Sequence, residues 1–490
     1  MASWLDAAWY AELIDEARLA ARTVIDRAED IAAPTLRLGI TGLSRAGKTV
    51  FTTALVHALS RGGRLPVFEA MNEGRIARAS LEPQPDDAVP RFDYEGHLRT
   101  LTDDRRWPES TRRISELRLA IDYAPARGGH RTLTLDIVDY PGEWLLDLPL
   151  LEKSFAIFAA ESLNLARAPA RRALAAPFLA ALAEIDPAAP AEESDARRLA
   201  GLFTEYLAAC RSEQVAMSLL PPGRFLLPGD LEGSPALTFA PLDLPDGAPA
   251  PAGSLHAMME RRYEAYKDRI VRPFFRDHFA RLDRQIVLID ALAALNAGPA
   301  ALADLEAALD GILAAFRTGR NSWLTALFRH RIDKVLFAAT KADHLHHTSH
   351  DRLEAILRRL VERAVGRAEG TGAAIDVVAL AAVRATREAS VKRGRFNLPA
   401  IIGVPEEGQE SAFDGLAEAA VFPGDLPEDP GALFDPAKGF KGLADAQGGD
   451  FRFLRFRPPL VGRDADGNPL PLPHIRLDRA LQFLLGDRLR

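Results

Sequence analysis

The sequence predicts an α/β fold: a mostly parallel sheet with one antiparallel hairpin, enlarged by a large helical insertion and an irregular C-terminal insertion. Three observations predict it. Short apolar runs of the kind buried on both faces of a sheet recur at Thr35–Ile40, Gln285–Ala291, Lys334–Ala339 and Asp376–Ala382, with helical periodicity at 301–317 and 351–366 separating the later ones. The first run passes through a glycine-containing turn into a helical pattern at Thr49–Leu59. Two further strand-like runs, Glu116–Tyr123 and Thr132–Val138, are joined by Ala126-Arg127-Gly128-Gly129-His130, whose glycines suit a hairpin turn.

Along the chain, Trp4, Leu5, Ala8, Trp9, Leu13, Ile14 and Ala17 fall at helical spacing and predict an amphipathic helix over 1–34. Its polar face is acidic, so it is expected to pack on the protein's own core rather than lie on a membrane. The sheet's first part is expected over 35–144, including a polar stretch at 61–113 rich in Pro, Asp and Arg, to which no element is assigned. Residues 145–284 carry no strand pattern; Ala, Leu and Arg recur at helical spacing over 152–218 and 255–283, interrupted by a Pro/Gly-rich segment at 219–253 expected on the surface. The sheet resumes over 285–391. Residues 392–473 are expected to be irregular, with Phe451–Arg457 alternating like a strand, and an amphipathic helix closes the chain over 474–490.

Composition narrows the function. Of 490 residues, 48% are apolar and 26% charged, as in a soluble globular chain. The net charge is −7, so no chain-wide basic field attracts nucleic acid, and none is expected as a partner. The lone cysteine, Cys210, excludes an internal disulfide and a cysteine-based zinc site and reads as an inert core residue. No apolar run is long enough to span a membrane, and acidic residues stand where a signal peptide would be basic then apolar, so a cytoplasmic location is expected.

Only 8 of the 61 basic residues are lysines, which makes a lysine in a motif informative. Gly42-Leu43-Ser44-Arg45-Ala46-Gly47-Lys48-Thr49 fits G-x-x-x-x-G-K-[ST] between a predicted strand and a predicted helix. That is the phosphate-binding loop of P-loop NTPases. Its backbone N–H groups are expected to cradle phosphates, Lys48 to reach the β and γ phosphates, and Thr49 to ligate Mg2+. Asp139-Tyr140-Pro141-Gly142 ends the second hairpin strand: Asp139 is expected beside the magnesium and Gly142 is expected to offer its N–H to a γ-phosphate. Before the hairpin, Trp107-Pro108-Glu109-Ser110-Thr111 supplies a switch hydroxyl for the metal, Thr111 first and Ser110 in reserve. Thr340-Lys341-Ala342-Asp343 ends a buried strand; an Asp there accepts from guanine N1–H and N2–H2 while the Lys stem covers the ring. Thr340 stands where Asn is more usual.

This order of elements resembles the G domain of small GTPases. More specifically, Gly42–Thr49, Asp139–Gly142, Gln285–Asn296, Thr340–His344 and the closing Pro473–Leu481 resemble the bacterial YcjX-like family over nearly the whole chain. The resemblance implies a P-loop GTPase with added helical and C-terminal parts, associated with stress and often labelled an ATPase. It implies GTP or GDP as ligand, with phosphate contacts from Ser44 to Thr49, base contacts at Lys341 and Asp343 and beside them His344, and a backbone contact near Ala382 and Val383. Two positions depart from the usual small-GTPase pattern. Glu143 stands where a Gln often orients the attacking water, and Arg45 occupies a loop position that is often small. Either is a candidate for catalysis, Glu143 by positioning water and Arg45 by offsetting charge. The expected partners are a guanine nucleotide and an unidentified protein, at a membrane or in solution. A nucleotide-gated scaffold with negligible turnover and an ATPase are the alternatives. His344, His346, His347 and His350 crowd one segment but read as a solvated loop and helix start, because no Cys is near and only Asp343, already assigned to the base, would complete a metal's shell. The pairs Arg105-Arg106 and Arg171-Arg172 read as solvated faces.

Overall fold

The computed structural model describes residues 34–490 except 44, 85, 245–249, 316–331, 369–372, 394, 436–438 and 443–448. The helix expected over 1–34, save Pro34 itself, and the loop residue Ser44 therefore lie outside the described residues. The chain builds a seven-stranded sheet from β1 (Thr35–Gly42), β2 (Ile76–Glu82), β3 (Ser115–Tyr123), β4 (Arg131–Asp139), β5 (Arg284–Ile289), β6 (Lys334–Ala339) and β7 (Ala374–Ala379). Their order is β2-β3-β4-β1-β5-β6-β7. β3 runs antiparallel to both neighbours, and the other pairings are parallel, as an α/β fold with one hairpin requires.

Alternation along each strand sorts side chains into two cores. Ile286 and Leu288 face a layer holding Leu36, Leu38, Ile40, Phe51 and Leu55, whereas Val287 and Ile289 face a layer shared with Phe337, Leu305 and Leu357. The helix Lys48–Arg61 packs in the first layer together with the closing helix Leu477–Leu485. The helices Pro299–Ala315 and His350–Ala368 occupy the second. Between β4 and β5 the chain makes helices at Phe155–Arg167, Ala176–Ala183, Glu193–Cys210 and Leu255–Tyr266, and no strand lies there among the described residues. Their aromatic core, including Phe158, Phe203, Phe239 and Tyr263, continues into the second layer of the sheet.

Four expectations are corrected. The polar stretch 61–113 contains β2 and a helix at Tyr94–Thr102. β2 is an edge strand with only Ala79 buried, so it carries no apolar signature. The segment 219–253 is not confined to the surface: Phe225 and Phe239 are buried in the insertion's aromatic core. Phe451–Arg457 forms no strand but an extended run with an isolated bridge between Pro405 and Phe456. Its alternation reflects two destinations, Phe451 and Phe453 joining the larger core and Leu454 and Phe456 a small one. Finally, 392–473 is not wholly irregular, because Arg387–Arg393, Phe396–Gly403 and Ala419–Val421 form a separate antiparallel sheet.

No described helix is long and apolar enough to cross a membrane.

Candidate functional site

The loop leaving β1 enters the helix Lys48–Arg61 through Gly47, whose φ of 79° is left-handed and cheap only for glycine. Arg45 also has a positive φ, at 61°, a strained conformation for a side-chain-bearing residue. A Cβ on Gly142 would lie 1.8 Å from the Gly42 carbonyl oxygen, so the ends of β1 and β4 touch backbone to backbone. That close approach is why glycine occupies the fourth position of Asp139-Tyr140-Pro141-Gly142.

Around this junction the polar groups converge. The buried Lys48 ammonium donates to the Gly42 carbonyl at 2.8 Å. Thr49 Oγ1 lies 3.1 Å from Thr111 Oγ1, and Thr111 Oγ1 donates to Asp139 Oδ2 at 2.8 Å. Asp139 Oδ1 is buried without a hydrogen-bond partner. Burial pushes the Asp139 carboxyl up to about 6, opposed by Lys48 and by the Thr111 hydrogen bond. Three residues spread over 90 positions of the chain thus bring their oxygens together.

A cavity of about 440 Å3 opens beside them. Arg45, Ala46, Gly47, Lys48, Thr49, Ser110 and Thr111 line it, and so do Thr340, Lys341, Asp343, His344, Ala382 and Val383. Gly42, Asp139, Gly142 and Glu143 are not part of its lining. Lys341 sits at a left-handed φ of 61°, with its Nζ 2.5 Å from Asp290 Oδ2. Asp343 Oδ2 accepts from the Ala385 N–H at 2.9 Å, and Thr340 Oγ1 donates to the Ile289 carbonyl at 3.3 Å. The backbone at 381–384 is held by the closing motif: Ala381 and Ile475 exchange hydrogen bonds at 2.9 and 3.0 Å, and Arg384 N–H donates to the Pro473 carbonyl at 2.6 Å.

The model of a family described as YcjX-like family, DUF463, matches residues 36–489. The chain belongs to that family. Among curated relatives, "Ras-like GTPase YcjX" of Escherichia coli (strain K12) is 38% identical over 472 residues, covering 93% of this chain and 96% of the relative. "Ras-like GTPase YcjX" of Shewanella oneidensis is 36% identical over 478 residues, covering 93% and 94%. The match spans the insertion and the C-terminal parts along with the sheet.

Several cavity residues carry no sequence motif. Arg211 and Glu213 come from the loop after the helix Glu193–Cys210, and Glu406, Phe453, Arg455 and Phe456 from the C-terminal part. Arg211 donates to Glu143 at 2.7 Å, and Glu143 is 2% exposed. Only Asp290 left a local signal, as a carboxylate after a buried strand that caps the helix Ala291–Ala297 by accepting from Ala293 N–H at 3.0 Å. The histidine segment is not simply solvated, since His344 and His350 are buried. There Glu388 joins His346 and His347, its Oε2 2.6 Å from His347 Nδ1, a carboxylate that sequence proximity could not supply. Arg171 is likewise buried, paired with Asp304, instead of solvated.

Proposed function

We propose that this protein is a P-loop nucleotide-binding protein with a small-GTPase-like G domain, that it binds GTP and GDP with Mg2+, and that it hydrolyses GTP slowly. The observation that carries the reading is the convergence of Thr49, Thr111 and Asp139 beside Lys48, next to a cavity that Lys48, Thr49 and Thr111 line together with Lys341 and Asp343. A phosphate chain needs the first group and a guanine edge the second. Both relatives are named Ras-like GTPases, which supports guanine over adenine.

A hard divalent cation suits this donor set. All its ligand atoms are oxygens, and the orphaned Asp139 Oδ1 has an acceptor to give. Thr49, Thr111 and Asp139 would hold it, directly or through water, and bound Mg2+ would neutralise charge on the phosphates. Lys48 is assigned to those phosphates too, Gly47 and Ala46 to the loop that wraps them, Gly142 to the sensing of the γ-phosphate. Glu143 and Arg45 stand as the candidates for assisting hydrolysis. The pairing of Glu143 with Arg211 favours slow turnover, because an acid held by a guanidinium is a poor guide for water. It also favours the second reading, a nucleotide-gated scaffold.

The test is to identify the nucleotide retained on the purified protein and to compete GTP against ATP. Guanine nucleotide is expected, with binding at least about tenfold weaker in Lys48→Ala at unchanged folding. Retention of adenine nucleotide, or full GTP binding by Lys48→Ala, would sink the reading.

A further inference from the structure

Residues 453–456 reach the cavity from the far end of the chain. Phe456 is fully buried and sets its ring edge-on to His344, with centroids 5.6 Å apart. Its carbonyl accepts from Trp107 Nε1 at 2.7 Å, four residues before Thr111. Phe453 is tied to Asn296, N–H to Oδ1 at 3.2 Å and carbonyl to Nδ2 at 3.0 Å. Between these two anchors stands Arg455, which lines the cavity.

The guanidinium of Arg455 is held on two sides, with Nη1 3.0 Å from Glu213 Oε2 and Nε 3.0 Å from Glu406 Oε2. The same Glu213 oxygen lies 3.9 Å from Nη1 of Arg45, on the loop between β1 and the helix at Lys48. Two guanidinium groups therefore share one carboxylate oxygen at the cavity wall, one from the candidate phosphate loop and one from the C-terminal part. The Arg45, Glu213 and Arg455 side chains are each 44% exposed, so this bridge is open to solvent and weak enough for a more strongly charged anion to take the carboxylate's place. A nucleotide's phosphate chain carries more negative charge than one carboxylate, and its oxygens match the fork of a guanidinium. The geometry points to Arg455 as a phosphate-reading residue of the nucleotide site, supplied by the C-terminal part and pre-aligned by Glu213 and Glu406. This rests on the nucleotide-binding reading above. It makes the C-terminal part a wall of the site, joined through Phe456 and Trp107 to the segment that carries Ser110 and Thr111.

The experiment measures displacement of a fluorescent GDP analogue by guanosine, GMP and GDP from the full chain and from Arg455→Ala, with thermal melting as the folding control. Guanosine should bind both proteins alike, whereas GDP should bind the variant about tenfold more weakly. An equal loss for guanosine and GDP would make Arg455 a packing residue and overturn the proposal, as would no loss for either. Arg455→Gln keeps a donor toward Glu406 without the charge, and repeats the comparison if the alanine variant does not fold. Failure of the unaltered protein to bind any guanine compound would overturn the nucleotide-binding reading itself, an outcome visible before any variant is measured.

Discussion

At the residue scale the candidate base site shows how a backbone donor can fix a side chain's chemistry. Asp343 Oδ2 accepts from Ala385 N–H. In Asp343→Asn that donor selects the amide's oxygen, which leaves the NH2 group for the cavity. There it would meet the guanine N1–H and N2–H2 donor to donor. A buried polar group left unsatisfied costs about 1 to 3 kcal/mol, so the variant should bind GTP roughly ten- to a hundredfold more weakly. Xanthine, with an acceptor where guanine has the amino group, should gain. Competition between GTP and XTP reads both effects, and an unchanged preference for GTP would remove Asp343 from the base site. That Lys341 and Asp343 follow the end of a buried strand was legible from four residues. Arg211, Glu213 and Arg455 were not, because an arginine beside a glutamate is commonplace in a chain with 61 basic and 68 acidic residues.

At the element scale, the 3-10 turn Gly142–Glu152 is the connection between β4 and the helical insertion, and the insertion grips it. A Cβ on Gly223 would lie 1.8 Å from the Glu143 carbonyl oxygen, so the two backbones touch. Trp144 Nε1 donates to the Leu227 carbonyl at 3.1 Å, and Arg224 stacks over the Trp144 ring. Asp147 accepts from Gly223 N–H at 2.7 Å and from the Tyr266 hydroxyl at 2.6 Å. A γ-phosphate contact at Gly142 would therefore bear on the insertion within a few residues. Hydrogen exchange over 105–165 should differ between the GDP state and a non-hydrolysable GTP analogue, with 140–150 and the neighbourhood of Thr111 better protected in the latter. Identical protection would favour the scaffold. The same grip has a pH signature. Burial pushes the Asp147 carboxyl up to about 6, against its Tyr266 and Gly223 donors. The folded state then holds a proton that the unfolded chain, with a carboxyl near 4, has released. Its contribution to stability is full below about pH 4 and lost as pH rises through about 6. Between pH 5 and pH 8 the loss is on the order of 1 kcal/mol, and Asp147→Asn should remove it. Urea unfolding of both proteins at the two pH values checks this; parallel losses would refute it.

At the scale of the whole molecule, the last residues of the chain lock the sheet. Arg284, at the start of β5 and fully buried, donates to Asp487 at 2.6 Å and to Asp333 at 3.1 Å, and it also reaches the Leu484 carbonyl. Lys334 adds a 2.8 Å contact to Asp487. Burial raises the Asp487 carboxyl, but these two cations together outweigh that effect and hold the group well below the usual carboxylate range. Arg284→Ala should cost about 2 kcal/mol, read as a lowered unfolding midpoint, because it empties the space of a fully buried side chain and removes the partner of the Leu484 carbonyl, while the half-exposed Asp333 and Asp487 turn to solvent and Lys334. A midpoint within error of the unaltered protein would show that the helix Leu477–Leu485 is held by its apolar face alone. By itself, the sequence determined the α/β class, the hairpin, the central parallel strands and the glycine-lysine loop. Each rests on local periodicity or on a turn that only certain residues can make. It left the edge strand β2 unread, since one buried residue in seven makes no pattern. It also misplaced Phe225, Phe239 and the run at Phe451–Arg457, where the partners lie tens to hundreds of residues away. Only the tertiary structure decided that Thr49, Thr111 and Asp139 meet, that Glu143 is held by Arg211, and that Arg455 stands at the cavity wall. Ion pairs and convergent oxygens between distant segments leave no period in the chain, because it is the packing of the two cores that brings them within reach.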